Sequence, residues 1–209
     1  MKIIYLIRHS KNGVNVENYA DYKTVPWEEY NRNMILSVEG EEKANKLCTI
    51  EELKNIEELY SSNSARAIAT AKYLSEEINL PIKLDSRINE IEFDIKYHSE
   101  VPDDFNYRMF NNKDLKIKTH ESFNEMDQRL NNFIKEILDS DKKSVAIVMH
   151  GLILLSYLGY LAEETYDGKN FKITFNGNEI LNGLPSNPDV YKIVYEDKKE
   201  VDIEMIQLD

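Results

Sequence analysis

Two of the four histidines, His9 and His150, stand directly after the two most apolar runs of the chain, KIIYLI at 2–7 and SVAIVM at 144–149. Runs of this kind read as strands buried on both faces of a parallel sheet. Ligands of open α/β sheets bind beyond the carboxyl ends of the strands, so neighbouring strands would project both imidazoles into one crevice. A third strand-like run, IEELYSS, leads into SNSARA and sets Arg66 in the first turn of a helix, where free backbone N–H groups favour an anion. Arg8 adjoins His9. Only six arginines stand beside twenty lysines, and a guanidinium fork matches phosphate oxygens bidentately where lysine offers a point charge. Two histidines and two arginines at three strand ends describe a phosphate site.

The elements that must position these groups can be read from hydrophobic period. Ser37 is placed to cap a helix carrying VEGEEKANKLC, although Gly40 weakens it. SARAIATAKYLSEEI reads as a helix with Ile68, Ala71, Leu74 and Ile78 on one face, and IKL after Pro81 as a short strand. Met126, Leu130, Phe133, Ile134, Ile137 and Leu138 recur at spacings of three and four, which predicts an amphipathic helix from Phe123 to about Asp139. GLILLSYLGYLA reads as a buried helix, FKITF as a strand, and YKIVYEDKKEVDIEMI as a hairpin turning at Asp197 and Lys198. Residues 86–120 mix acids, aromatics and asparagine without period. With no internal repeat or linker, residues 1–209 read as one α/β domain carrying an irregular insertion at about 86–120.

Several blocks then carry a resemblance. RHSKNGVN at 8–15, LSVEGEEKA, SSNSARAIATA, RINEIEF, HESFNEMDQRL and VMHG are similar, in order, to the signature blocks of the histidine phosphatase superfamily, in the branch that also holds the cofactor-dependent phosphoglycerate mutases. The blocks span residues 3 to 155. The resemblance implies a three-layer sandwich, its mostly parallel central sheet flanked by helices as in the phosphoglycerate mutases. It implies that His9 takes the phosphoryl group as phosphohistidine while Arg8, Arg66 and His150 hold its oxygens. Glu90 of RINE matches the glutamate that serves as acid and base, with Glu92 and Asp94 near enough to be mistaken for it. Asn15, Ser10 and Gly151 fall within the matching blocks and are assigned to substrate binding. No metal or other cofactor is implied. The expected reaction is hydrolysis of a small phosphorylated metabolite; phosphoglycerate mutase-type isomerisation and a ligand-binding pseudoenzyme are the alternatives.

Departures from the family pattern are local. Ser10 stands where the family has glycine, Asn12 where it has Ser or Thr, and Met149 where a Ser or Thr often precedes the second histidine. IEFDIKYHSE comes after Glu90 where many relatives have W-E-G. His98 is expected to be an exposed loop residue, with substrate contact as the alternative, the Tyr-rich stretch Tyr19–Tyr30 a surface loop packing its aromatics, with a part in the substrate rim as the alternative, and His120 part of the pocket rim.

Composition narrows the partners. A formal charge of −12 disfavours nucleic acid and anionic membranes, so any phosphate site must be a local concentration of positive charge. The longest apolar runs fall short of the roughly 20 residues a membrane helix needs, and the first runs into Arg8 and His9 without a signal-peptide cleavage site. Cys48 is the only cysteine, which suits a reducing cytoplasm. Neither metal-ligand spacings nor a Gly-rich dinucleotide loop occur. Oligomeric state is left open.

Overall fold

A computed structural model describes residues 1–13 and 26–208. Among these, nine strands and five α-helices are assigned: β1 Lys2–Arg8, α1 Val38–Lys46, β2 Glu58–Ser61, α2 Ala65–Ile78, β3 Ile82–Leu84, α3 Phe105–Asn111, α4 Phe123–Asp139, β4 Ser144–Met149, α5 Gly151–Leu161, β5 Glu163–Tyr166, β6 Phe171–Phe175, β7 Asn178–Asn182, β8 Val190–Glu196 and β9 Lys199–Ile206.

Six strands form the central sheet in the order β3-β2-β4-β1-β8-β9. The β1, β2, β3 and β4 pairings are parallel, and only β8 runs against the rest. The two apolar runs are neighbours: β1 pairs with β4 in a register that sets Arg8 opposite Met149. Their buried residues alternate between faces as a two-sided strand requires. Ile4, Leu6, Val145, Ile147 and Met149 pack into one cluster with α4 and α5, whereas Tyr5, Ile7, Ala146 and Val148 join Ala67, Ala71 and Leu74 of α2 in the other. Helices therefore cover both faces, the three-layer arrangement expected.

Local chemistry explains most boundaries. The Ser37 side chain accepts from Gly40 N and caps α1. Gly40 is required there, because a Cβ would lie 1.9 Å from the Lys11 carbonyl oxygen. Ser122 and Glu125 close a reciprocal capping box on α4, whose buried residues include Met126, Leu130, Phe133, Ile134 and Ile137. The β8–β9 hairpin turns at Asp197 and Lys198, both at positive φ, as a two-residue turn demands.

Three expectations need correction. The buried apolar face of α2 runs through Ala67, Ala71 and Leu74, while Ile68 is only half-buried. The stretch 86–120 is not wholly irregular: it holds α3 and two 3-10 turns, and Ile88, Ile91, Phe93, Phe105 and Met109 enter the core. FKITF is a strand as expected, β6, but it does not stand alone: it is the middle of a second, three-stranded antiparallel sheet, β5-β6-β7, whose outer strands, unread in the sequence, are too polar to stand out by period.

Candidate active site

Register assembles the floor of the site. His9 N donates to Met149 O at 2.8 Å, and Ser62 N donates to Val148 O at 3.1 Å, so β1, β2 and β4 end at one level. Arg8, His9, Ser62 and His150 leave the sheet there, and Arg66 arrives from the first turn of α2. The His9 and His150 rings meet edge to face, with centroids 5.2 Å apart.

Hydrogen bonds assign the His9 tautomer. Its Nδ1 lies 2.8 Å from Ser10 O, a pure acceptor, so Nδ1 carries the proton and donates. Nε2 is then unprotonated, and it accepts from Arg66 Nε at 3.0 Å. Burial, with Arg66 and Arg8 alongside, holds the His9 imidazole well below its ordinary range, which keeps it neutral with a free lone pair. His150 is lowered in the same way by burial, Arg66, His9 and Arg8. Its Nδ1 contacts Arg66 Nη2 at 3.0 Å and its Nε2 contacts Ser62 Oγ at 2.7 Å. A hydroxyl either donates or accepts, so rotation of Ser62 O–H lets His150 present a lone pair or an N–H at Nδ1.

The two arginines are held differently. Arg66 also donates from Nη1 to the Asn31 carbonyl at 2.6 Å and the Tyr30 carbonyl at 3.0 Å, which anchors it to a π-turn at Glu29–Asn33. Arg8 donates from Nη1 to the Pro185 carbonyl, while its Nε is buried without a partner. Burial pushes both guanidinium groups down from their ordinary value, yet they start so high that both stay charged. An unpartnered buried donor is rare in a finished interior and points to a ligand position. Gly151 makes room for it, since a Cβ would lie 3.1 Å from Arg8 Nε and Cζ.

Glu90 lies beside this group. Its carboxylate accepts from Leu152 N at 2.8 Å and from Ile153 N at 3.0 Å, both in the first turn of α5, and from Ile91 N at 3.1 Å. It lines the cleft over His9, whereas Glu92 pairs with exposed Arg32 at 2.7 Å and does not.

A cleft of about 340 Å³ opens above His9, Arg8, Arg66, Glu90 and Gly151. Its wall is aromatic, formed by Trp27, Tyr30, Phe93, His98 and Phe105. His98, expected first as an exposed loop residue, is a half-buried member of that wall, 5.2 Å from the Tyr30 ring, and of the Tyr-rich stretch Trp27 and Tyr30 line the cleft, its alternative reading, while residues 19–25 lie outside the described residues. Asn12 lines the same cleft. Exposed His120 lies outside it, in a shallow depression with Arg32, Glu121 and Arg129 that shares Glu90 with the cleft. Ser10 is not brought to the substrate side: it is fully buried, its Oγ donates to Gly40 O at 2.7 Å, and its N donates to Thr70 Oγ1 at 2.9 Å. Asn15 lies outside the described residues. Sequence reasoning misses Ser62, Asn31 and Asn187, whose Nδ2 donates to His9 O at 2.7 Å. Ser62 opens the SNSARA block and could be found there; the other two sit in loops whose sequence carries no chemical pattern.

A cradle of two cations and two imidazoles, in which the unprotonated His9 Nε2 accepts from Arg66, can exchange that contact for a tetrahedral anion and attack it. Among the described residues no group of three or more His, Cys, Asp or Glu side chains could hold a metal ion, and no helix is long and apolar enough to cross a membrane. Comparison with known proteins gives the same direction. The family model of the histidine phosphatase superfamily (branch 1) matches residues 4–184. A Hydrogenobacter thermophilus protein named "Putative phosphoserine phosphatase 2" is 24% identical over 161 residues, covering 72% of this chain and 74% of that protein. A solved mycobacterial glucosyl-3-phosphoglycerate phosphatase is 18% identical with a TM-score of 0.65, covering 100% of this chain and 97% of its own. A solved phosphoglycerate mutase of Bacillus anthracis is 22% identical with a TM-score of 0.66, covering 96% of this chain and 90% of its own.

Proposed function

The chain belongs to the histidine phosphatase superfamily (branch 1), and we propose that it is a phosphomonoesterase acting through phosphohistidine at His9. The observation that carries this reading is the His9 tautomer: Nδ1–H is tied to Ser10 O, and the unprotonated Nε2 lies among the Arg8, Arg66 and His150 side chains. Phosphatase names among its relatives support hydrolysis.

In the first half-reaction the substrate phosphoryl displaces the Arg66–His9 contact and takes the guanidinium N–H groups for its own oxygens. Arg8 Nε supplies a further donor, and His150 a third once Ser62 donates to its Nε2. His9 Nε2 attacks phosphorus, the N–P bond forms, the P–O ester bond breaks, and the leaving oxygen takes a proton from the Glu90 carboxyl group. Cations and donors fixed around the equatorial oxygens do most of the work, because the phosphoryl transition state spreads its charge over them. In the second half-reaction water attacks phosphorus and gives a proton to Glu90, the N–P bond breaks to return the lone pair to His9 Nε2, and inorganic phosphate leaves. Glu90 must release one of its α5 N–H bonds to take part, since both oxygens now accept from the backbone.

Phosphate release from a metal-free panel of monoesters, with 3-phosphoglycerate included, tests the reading. Hydrolysis that falls at least ~10³-fold in His9→Ala is expected. Isomerised phosphoglycerate without phosphate release would instead make the chain a mutase, and no turnover of any ester would leave it a binding protein.

A further inference from the structure

We infer that the wall of the cleft is a ring-binding subsite and that the leaving group is the flat aromatic ring of a phenol-type phosphate monoester. The inference rests on the phosphomonoesterase reading and names its substrate class.

The first observation is the continuity of the wall. Trp27 stacks on Tyr30 with ring centroids 5.6 Å apart, meets Phe93 edge-on at 5.1 Å and lies 5.8 Å from His98, while Phe93 lies 4.9 Å from Phe105. Trp27, Tyr30 and His98 are only half-buried, so ring surface remains for a visitor. Aromatic pairs at such spacings add attraction beyond area alone. Backbone pairing steadies the wall: Trp27 N donates to Lys96 O at 2.9 Å, joining the two segments that build it.

The second observation is charge. Among the described lining residues the cations are Arg8 and Arg66, both at the phosphoryl position, and the other charged groups are Glu90 and Asp103. A leaving group with its own carboxylate or second phosphate meets the Asp103 carboxylate and, among the described lining residues, no cation beyond the two at the phosphoryl position. An uncharged ring meets apolar surface.

The third is the distribution of unpartnered polar atoms. Among the described residues four buried side-chain atoms lack a hydrogen-bond partner, and two of them, Arg8 Nε and Trp27 Nε1, belong to residues lining this cleft, one on the cradle and one on the wall. Phenol chemistry also suits Glu90: a phenolate, with a parent pKa near 10, departs with less help from an acid than an alkoxide does.

Trp27 is the only tryptophan, so intrinsic fluorescence reads the wall directly. The full-length wild type is titrated with phenylphosphonate, methylphosphonate and phosphonoacetate, none of which has an ester bond to cleave. Phenylphosphonate is expected to shift the emission saturably and to bind at least ~10-fold more tightly than the other two. Equal affinity for phenyl and methyl, or tightest binding of the carboxylate, overturns the inference. In parallel, kcat/KM is measured for phenyl phosphate, phosphotyrosine, phosphoserine, glycerol 3-phosphate and 3-phosphoglycerate. Trp27→Leu and His98→Ala are expected to lower it at least ~10-fold more for the aryl esters than for the alkyl esters. Equal losses for both classes overturn it. Failure of every ester to turn over sinks the phosphatase reading, while the phosphonate titration still decides ring binding.

Discussion

Arg8, His9, Ser62 and His150 leave the sheet at the ends of three adjacent strands, whereas Trp27, Tyr30, His98 and Phe105 reach the same cleft from short helical turns between the strands, a π-turn and a 3-10 turn among them, and from one seven-residue helix. The first group is positioned by ladder hydrogen bonds and parallel register, which are shared with every residue of the strands. The second is positioned by ring packing and by single ties such as Trp27 N to Lys96 O. A site built this way keeps its sheet-end groups in place while its wall is free to change, because loop sequence can vary without shifting the register beneath.

The largest expected effect comes from breaking the cradle. Arg66→Lys retains the charge but loses the fork that spans His9 Nε2, His150 Nδ1 and the Asn31 carbonyl. A loss of about 10²- to 10³-fold in kcat/KM is expected, similar for aryl and alkyl esters. If the loss depends on the leaving group, cradle and wall are not separable. Glu90→Gln sharpens the same contrast: about 10² in rate for glycerol 3-phosphate, and markedly less for 4-nitrophenyl phosphate, whose leaving group needs little protonation.

A third substitution lies behind both regions. Asp127 of α4 is buried against α5, where Ser156 Oγ donates to its Oδ2 at 2.9 Å and its Oδ1 has no partner. Burial, partly offset by Ser156, pushes its carboxyl up to about 6. Because the folded value lies above the unfolded one near 3.9, the stability linked to this group is full below about pH 4 and is lost as pH rises through about 6. Asp127→Asn is expected to remove that slope and to be about 2–3 kcal/mol more stable than wild type at neutral pH, read by denaturant unfolding across pH. An unchanged slope would mean that the carboxylate is solvated. The smallest effect is expected for Ser10→Gly, which restores the family residue but deletes the bond to Gly40 O. A cost of about 1 kcal/mol in stability with kcat/KM within about twofold would place Ser10 in the scaffold; a tenfold change in kcat/KM would return it to the substrate.

Legibility divides along the same line. His9, His150, Arg8 and Arg66 can be read because buried parallel strands leave uninterrupted apolar runs, and the residues just beyond such a run sit at the carboxyl end of a sheet. Glu90 is reached through resemblance, and the choice over Glu92 is made by the fold: two residues apart, one lines the cleft and the other pairs with Arg32 in solvent. Ser10 is misplaced by sequence because adjacency to His9 says nothing of direction, and its hydroxyl points away to α1. His98 reads as exposed because one imidazole in an aperiodic segment carries no sign of its packing partners.

The sequence by itself determined the α/β class, the two apolar strands and the placement of His9, His150, Arg8 and Arg66 at strand ends, since each rests on period or on residues adjacent in the chain, while the three-layer arrangement was reached through the family resemblance. Only the tertiary structure decided that β1 and β4 are neighbours, that Asn31, Ser62 and Asn187 hold the cradle, and that Trp27 and His98 share one wall. Those contacts join residues tens to more than a hundred positions apart, and no local pattern records them, because they form only when the whole chain has packed.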